Sequence, residues 1–254
     1  ATEQDAQQVL LLFDPAMRAD VIDWQKLACA LATRSAFSII TGGPGTGKTT
    51  TVVRLLALLQ APAVEAHQPL RIRLAAPTGK AAARLTESIS QQVQSLRVAD
   101  SVREKIPTEV TTVHRLLGSR PGTRHFRHHA GNRLPLDVLV VDEASMIDLE
   151  MMTNLLDALP PHARLVLLGD KDQLASVEAG AVLGDLCRDA EAGWYSPQTR
   201  QWLEAVSGEN LEDSGLQADT QGTHPLAQQV VMLRHSRRFG EGSQSPEAGI
   251  RVTA

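Results

Sequence analysis

Apolar positions along the chain follow two rhythms. Short apolar segments at Ser38–Thr41, Ile72–Ala76, Val138–Val141 and Leu165–Leu168 read as strands buried on both faces. Between them the spacing becomes helical. Val52, Val53, Leu55, Leu56 and Leu59 mark one apolar face just after a glycine-rich stretch. Helices are also predicted from Trp24 to about Thr33, with Asp23 as N-cap, from Lys80 to about Val93, and from Val113 to Leu117, closed by Gly118. Ala61–Pro69 reads as a loop, Val230–Leu233 as a last strand, and 207–224 as a long mobile insertion rich in Gly, Glu, Asp, Gln and Thr. Residues 1–20 carry a short helix from Gln4 to Leu12, closed by Asp14-Pro15, as the end of a preceding domain or a linker. After 240 the pattern becomes irregular. Strands alternating with helices predict an α/β domain over 21–240, a parallel sheet covered by helices.

The glycine-rich stretch is specific. Gly42-Gly43-Pro44-Gly45-Thr46-Gly47-Lys48-Thr49 fits G-x-x-x-x-G-K-[ST], follows a strand and opens a helix. Such a loop wraps phosphate oxygens with inward N–H groups, and the helix N-terminus adds positive potential. Lys48 supplies a charge at the β- and γ-phosphates, and the Thr49 hydroxyl a ligand for Mg²⁺. The expected ligand is Mg-ATP, held by Gly43 through Lys48, Thr49 and Thr50.

Two more polar signals end buried strands. Val138–Val141 runs into Asp142-Glu143-Ala144-Ser145, placing carboxylates at the ligand-binding edge of a parallel sheet. Asp142 is expected to hold Mg²⁺ and Glu143 to act as general base on the attacking water. Leu165–Leu168 runs into Gly169-Asp170-Lys171-Asp172-Gln173, where Gln173 is a candidate contact for the γ-phosphate.

Composition narrows the picture. The net charge of −4 argues against a protein that is basic overall, so any nucleic-acid contact must be local. One segment provides it: Arg115, Arg120, Arg124, Arg127 and Arg133, with His125, His128 and His129, contain no acid between them. Pro121-Gly122 and Gly131-Asn132 suggest turns, hence a projecting basic β-hairpin at about 119–135. Aromatic content of 3% disfavours a base-stacking platform. Cys29 and Cys187 lie among apolar residues and read as buried free thiols in a cytoplasmic setting. No apolar run is long enough to span a membrane.

Taken together, these segments resemble the RecD family of superfamily 1 helicases over about residues 21–240. The resemblance rests on Trp24-Gln25, the loop at 42–49, Ala75–Leu85 (AAPTGKAAARL), Thr112–Gly118 (TVHRLLG), Val141–Asp148 (VDEASMID), Gly169–Gly180 (GDKDQLASVEAG) and Arg237-Arg238-Phe239. It implies a RecA-like first motor domain. Gln25 would read the adenine edge, Gln173 would sense the γ-phosphate, and Arg238 would reach it. Pro77, Thr78, Gly79 and Lys80, with Thr112, His114 and Arg115, would grip single-stranded DNA. The basic segment, through Arg120, Arg124 and Arg127, would form a wedge.

The resemblance further implies 5′→3′ movement, action at duplex ends in double-strand-break repair and recombination, and RecB-like and RecC-like partner subunits. The second motor domain of such helicases, with its completing arginine, has no counterpart in this sequence, so weak turnover is expected of the chain alone. Two other readings stand beside a helicase motor. One is another P-loop ATPase or phosphotransferase, for which no acceptor pocket is evident. The other is a nucleotide-binding module that serves complex assembly.

Overall fold

The computed structural model describes residues 12–13, 22–120, 122–123, 125–173, 182–212 and 214–234. Residues 4–11 of the expected helix, the tail after 240 and the Arg237-Arg238-Phe239 motif fall outside these residues, as do Arg124 and all of 174–181.

Helix α1 (Trp24–Arg34) is capped as expected, with Asp23 accepting from the Lys26 amide. Its far end is closed by Arg164, whose guanidinium donates to the Thr33 and Ser35 carbonyls, both at 2.9 Å. Strand β1 (Phe37–Thr41) leads through the glycine-rich loop into α2 (Lys48–Glu65). This helix runs farther than the expected loop at 61–69 allowed. Pro62 lies in its last turns, where the lost amide donor disrupts little of the ladder.

Strand β2 (Ile72–Ala76), α3 (Gly79–Ser95), the short α4 (Asp100–Arg103), β3 (Val110–Thr112) and α5 (Val113–Leu117) follow. Then come β4 (Val138–Val141), a 3-10 turn (Ala144–Met146), α6 (Leu149–Ala158) and β5 (Arg164–Gly169). The described chain ends with α7 (Val182–Leu186), α8 (Pro197–Ser207), a 3-10 turn (Pro225–Gln229) and β6 (Val230–Met232).

The six strands form one sheet in the order β3-β2-β4-β5-β1-β6, and every pairing is parallel. Two apolar layers cover its faces. One contains Leu27, Leu31, Leu55, Leu56, Ile89 and Val140. The other contains Leu117, Leu139, Val141, Leu155 and Leu167. Continuous apolar strands follow from burial on both sides.

Residues 207–224 differ from the mobile insertion expected of their composition. Leu211 is fully buried, and its amide donates to Glu204. Asp219 accepts from the Thr223 and His224 amides, which hold its carboxyl below the usual range. Glu209 forms a buried ion pair with Lys26 at 3.2 Å and also accepts from the Asp23 amide. Polar composition suggested a solvated loop; here the polar groups are spent on turns and on one buried pair.

The basic insertion also differs in detail. The antiparallel return consists of two isolated bridges, Ser119 with Phe126 and His129 with Asn132, rather than a continuous ladder. It is tied to the end of α5, because the Arg127 amide donates to Gly118 and the His128 amide to Leu117. Gly118 must be glycine: its φ is +76°, and a Cβ would lie 2.8 Å from the Arg127 Cβ. Phe126 packs onto the second layer and meets the His114 ring edge-on.

Candidate nucleotide and DNA sites

Strand order positions the chemistry. β5 lies between β1 and β4, so the segments after Thr41, Val141 and Gly169 emerge side by side on one sheet edge. With strands about 4.8 Å apart, these three segments share a strip roughly 10 Å wide. Backbone and hydroxyl contacts lock them together. Gly42 donates to the Gly169 carbonyl at 3.1 Å, and Lys171 donates through its amide to Thr41 Oγ1 at 3.0 Å. The Asp142 amide donates to Ala75, joining β4 to β2 at the same edge.

The glycine loop folds on itself. Thr46 Oγ1 donates to the Gly43 carbonyl at 2.8 Å, and the Thr51 amide to Gly47 starts the ladder of α2. Lys48 Nζ donates to the Gly42 and Gly43 carbonyls at 2.6 and 3.0 Å. These neutral partners are ones a phosphate oxygen can displace, since a charge-assisted bond is the stronger. Open space adjoins Gly43, where a Cβ would meet nothing within 4 Å. Pro44 and Gly45 are exposed, while Thr49 and Thr50 lie half-buried in the first turn of α2.

Gln25 sits against this loop. Its Nε2 donates to the Thr46 carbonyl at 3.4 Å, and a Cβ on Gly47 would fall only 2.2 Å from that nitrogen. Gly47 has φ +85°, so both backbone and contact require glycine. The structure thus brings Gln25 beside the phosphate loop, a juxtaposition that twenty intervening residues conceal.

Desolvation at the half-buried Asp142 pushes its carboxyl above the usual range; the Glu143 amide opposes this by hydrogen bonding, repulsion from the Glu143 carboxylate adds to it, and Lys48 opposes it. The Asp142 carboxylate and the Thr49 hydroxyl are oxygen ligands of the kind a divalent cation takes. Glu143 adopts the left-handed region, φ 52° and ψ 39°, which costs a non-glycine residue about 1–3 kcal/mol. That turn takes the chain out of β4 within one residue and leaves two consecutive acids at the sheet edge. Gln173 accepts a hydrogen bond from Ser145 Oγ at 3.3 Å, coupling the segment after β4 to the one after β5. Ser145 was not singled out by the sequence, although it stands two residues after the acidic pair.

These residues fit Mg-ATP. Lys48, Thr49 and Asp142 would hold the nucleotide and its metal, and the bound metal would offset phosphate charge. Glu143 lies beside Asp142 at the edge, and Gln173 accepts from Ser145. Among the described residues no cluster of His, Cys, Asp and Glu forms a separate metal site. Cys29 and Cys187 are buried free thiols, and burial pushes the Cys187 thiol up to about 12, far from thiolate chemistry.

The candidate DNA residues gather at the neighbouring corner. Ala76 of β2 pairs in register with Thr112 of β3, so Pro77–Lys80 and Thr112–Arg115 lie side by side. Thr78 and Thr112 cap α3 and α5 with their hydroxyls, accepting from Ala81 and Arg115 at 3.2 Å each. Their structural role is therefore as definite as the one expected toward DNA. Lys80, His114, Arg115, Arg120 and Arg127 are exposed. Arg133, counted in the basic segment, is committed instead to the Leu159 carbonyl. No helix among the described residues is long and apolar enough to cross a membrane.

Comparison with known proteins agrees with this geometry. The family model described as an AAA domain matches residues 25–179. The RecBCD enzyme subunit RecD of Haemophilus influenzae is 48% identical over 226 residues, covering 87% of this chain and 34% of that protein. Its counterpart in Mycolicibacterium smegmatis is 57% identical over 164 residues, covering 64% of this chain and 29% of that protein. The ATP-dependent RecD2 DNA helicase of Deinococcus radiodurans is 41% identical over 152 residues, covering 60% of this chain and 18% of that one. The chain spans about a third of the length of the first of these relatives.

Proposed function

This chain belongs to the AAA domain family and is related to RecD subunits, and from that premise we propose that it is the first motor domain of an ATP-driven DNA helicase. The observation that carries the reading is the alignment of three strand ends, bearing Lys48, Asp142-Glu143 and Gln173, beside a corner of exposed cations. An edge that holds a nucleotide next to a strand-gripping surface is what a translocating motor requires. The ligand is Mg-ATP and the track is single-stranded DNA, entered from a duplex end. Movement is 5′→3′, and the setting is a cytoplasmic exodeoxyribonuclease V assembly with RecB-like and RecC-like subunits, working in double-strand-break repair and recombination. Arg238 and Arg124 keep their assigned roles, toward the γ-phosphate and toward DNA.

The test separates binding from turnover. Fluorescent-nucleotide titration and steady-state hydrolysis would be measured on the chain and on two variants. Lys48→Ala should lose Mg-ATP binding. Glu143→Gln should keep it while hydrolysis falls by about 10²–10⁴-fold, the usual contribution of a general base. Equal loss of binding in both variants would refute these assignments.

A further inference from the structure

Along β2 and the residue before it, Arg71, Arg73 and Ala75 share one face through the two-residue period. Ala75 belongs to the second apolar layer, and the register partner of Arg73 on β4, Leu139, is fully buried in that layer. β2 is flanked by strands on both sides. A charge at such a position needs a partner or water. Arg71 has its partner, holding both carboxylate oxygens of Asp137 at 3.0 Å. Arg73 is exposed, and its guanidinium has no hydrogen bond or ion pair among the described residues.

Arg73 lines two adjoining cavities. One, of about 320 Å³, is shared with Glu109, Thr111 and Arg115. The other, of about 110 Å³, reaches His128 at the root of the basic insertion. Thr111 pairs with Ala75 across β3 and β2, and so stands on the same face as Arg73. Thr111 Oγ1 is buried and lacks a hydrogen-bond partner. The Arg115 guanidinium also has none among the described residues. Two unpaired guanidiniums therefore line one hollow, above an orphaned hydroxyl.

We propose that this hollow binds a phosphodiester of the nucleic-acid strand, with Arg73 and Arg115 as its donors. The assignment rests on the DNA-motor reading and extends it: the strand leaves the Thr112–Arg115 corner and passes beneath the basic insertion. Phosphate is favoured over a protein carboxylate. The hollow adjoins the Thr112–Arg115 corner, and Glu109, on the same lining, pairs with neither arginine.

The experiment titrates the chain with a fluorescent oligothymidylate over a range of salt concentrations. It compares wild type, Arg73→Gln, Arg73→Lys and Lys80→Ala, with circular dichroism as the folding control. Arg73→Gln should weaken binding several-fold and reduce the slope of log K against log salt by about 0.7, the value for one lost phosphate contact on a single strand. Arg73→Lys should restore the slope, because the charge returns without the forked geometry. An unchanged slope in Arg73→Gln, with Lys80→Ala weakened, overturns the hollow and leaves the motor reading standing. Wild type that fails to bind the oligonucleotide overturns both. Loss of poly-glutamate binding in Arg73→Gln, with oligonucleotide binding unchanged, also overturns the proposal and assigns the hollow to an acidic protein segment.

Discussion

Ser145 Oγ donates to Gln173 Oε1 at 3.3 Å, and this bond joins the segment after β4 to the segment after β5 across the strand-end strip. Ser145 is buried, three residues from Asp142. Gly169 closes the same junction, since a Cβ there would lie 3.3 Å from the Ser145 amide. Gln173 is therefore oriented by the backbone segment that also carries both acids.

Removing that orientation should affect turnover more than binding. Ser145→Ala should leave Mg-ATP affinity within about twofold and lower turnover by roughly 5–10-fold, the cost of one hydrogen bond of about 1–1.5 kcal/mol. Gln173→Ala should lower turnover further, and the double variant should match Gln173→Ala alone, because the hydroxyl acts through the amide. Additive losses in this cycle would show that the two side chains act independently.

Lys26 and Glu209 form a buried pair next to Gln25, with side-chain exposures of 8% and 9%. Breaking one partner strands the other charge, so Glu209→Gln should destabilise the fold by about 3–5 kcal/mol. Replacing both, as Lys26→Met with Glu209→Leu, should recover most of that loss, because an apolar pair avoids desolvating two charges. Urea unfolding of wild type and the two variants checks both statements. If the double variant is no more stable than Glu209→Gln, the electrostatic account of this contact fails.

Asp137 predicts a pH signature. The Arg71 guanidinium beside it holds its carboxyl well below the usual carboxylate range, and burial opposes this. Asp137 Oδ1 also accepts from His162 Nε2 at 3.0 Å. A depressed carboxylate contributes stability that is fully present above its unfolded pKa, about 3.9, and is lost as pH falls through the folded value. Asp137→Asn should therefore lower the melting temperature at neutral pH. The gap from wild type should shrink steadily below about pH 4. A gap that stays constant down to low pH would rule out ionisation as its origin.

Much of the fold was legible in the sequence because its signals are local. Val138–Val141 can be read as a doubly buried strand from four consecutive apolar residues, and Lys48 follows a loop whose glycines have a backbone reason. Asp23 was legible as a cap, a relation between residues two or three apart, whereas Thr78 and Thr112 were read only toward DNA and prove to be caps as well. The helical continuation past Pro62 and the packing of 207–224 were not legible in this way. Pro62 is tolerated because of where the helix ends, and Glu209 is ordered by a lysine 183 residues away.

The sequence by itself determined which chemistry the chain carries: a phosphate loop, a pair of acids and a glutamine, each at the end of an apolar strand. Only the tertiary structure decided that β5 enters between β1 and β4, bringing those groups onto one strip. It also decided that Gln25 lies against Gly47, and that Arg73 and Arg115 line one hollow. Local patterns specify the conformation and burial of single segments. Strand order and register depend on which buried faces match, a global choice among pairings that no short window of sequence contains.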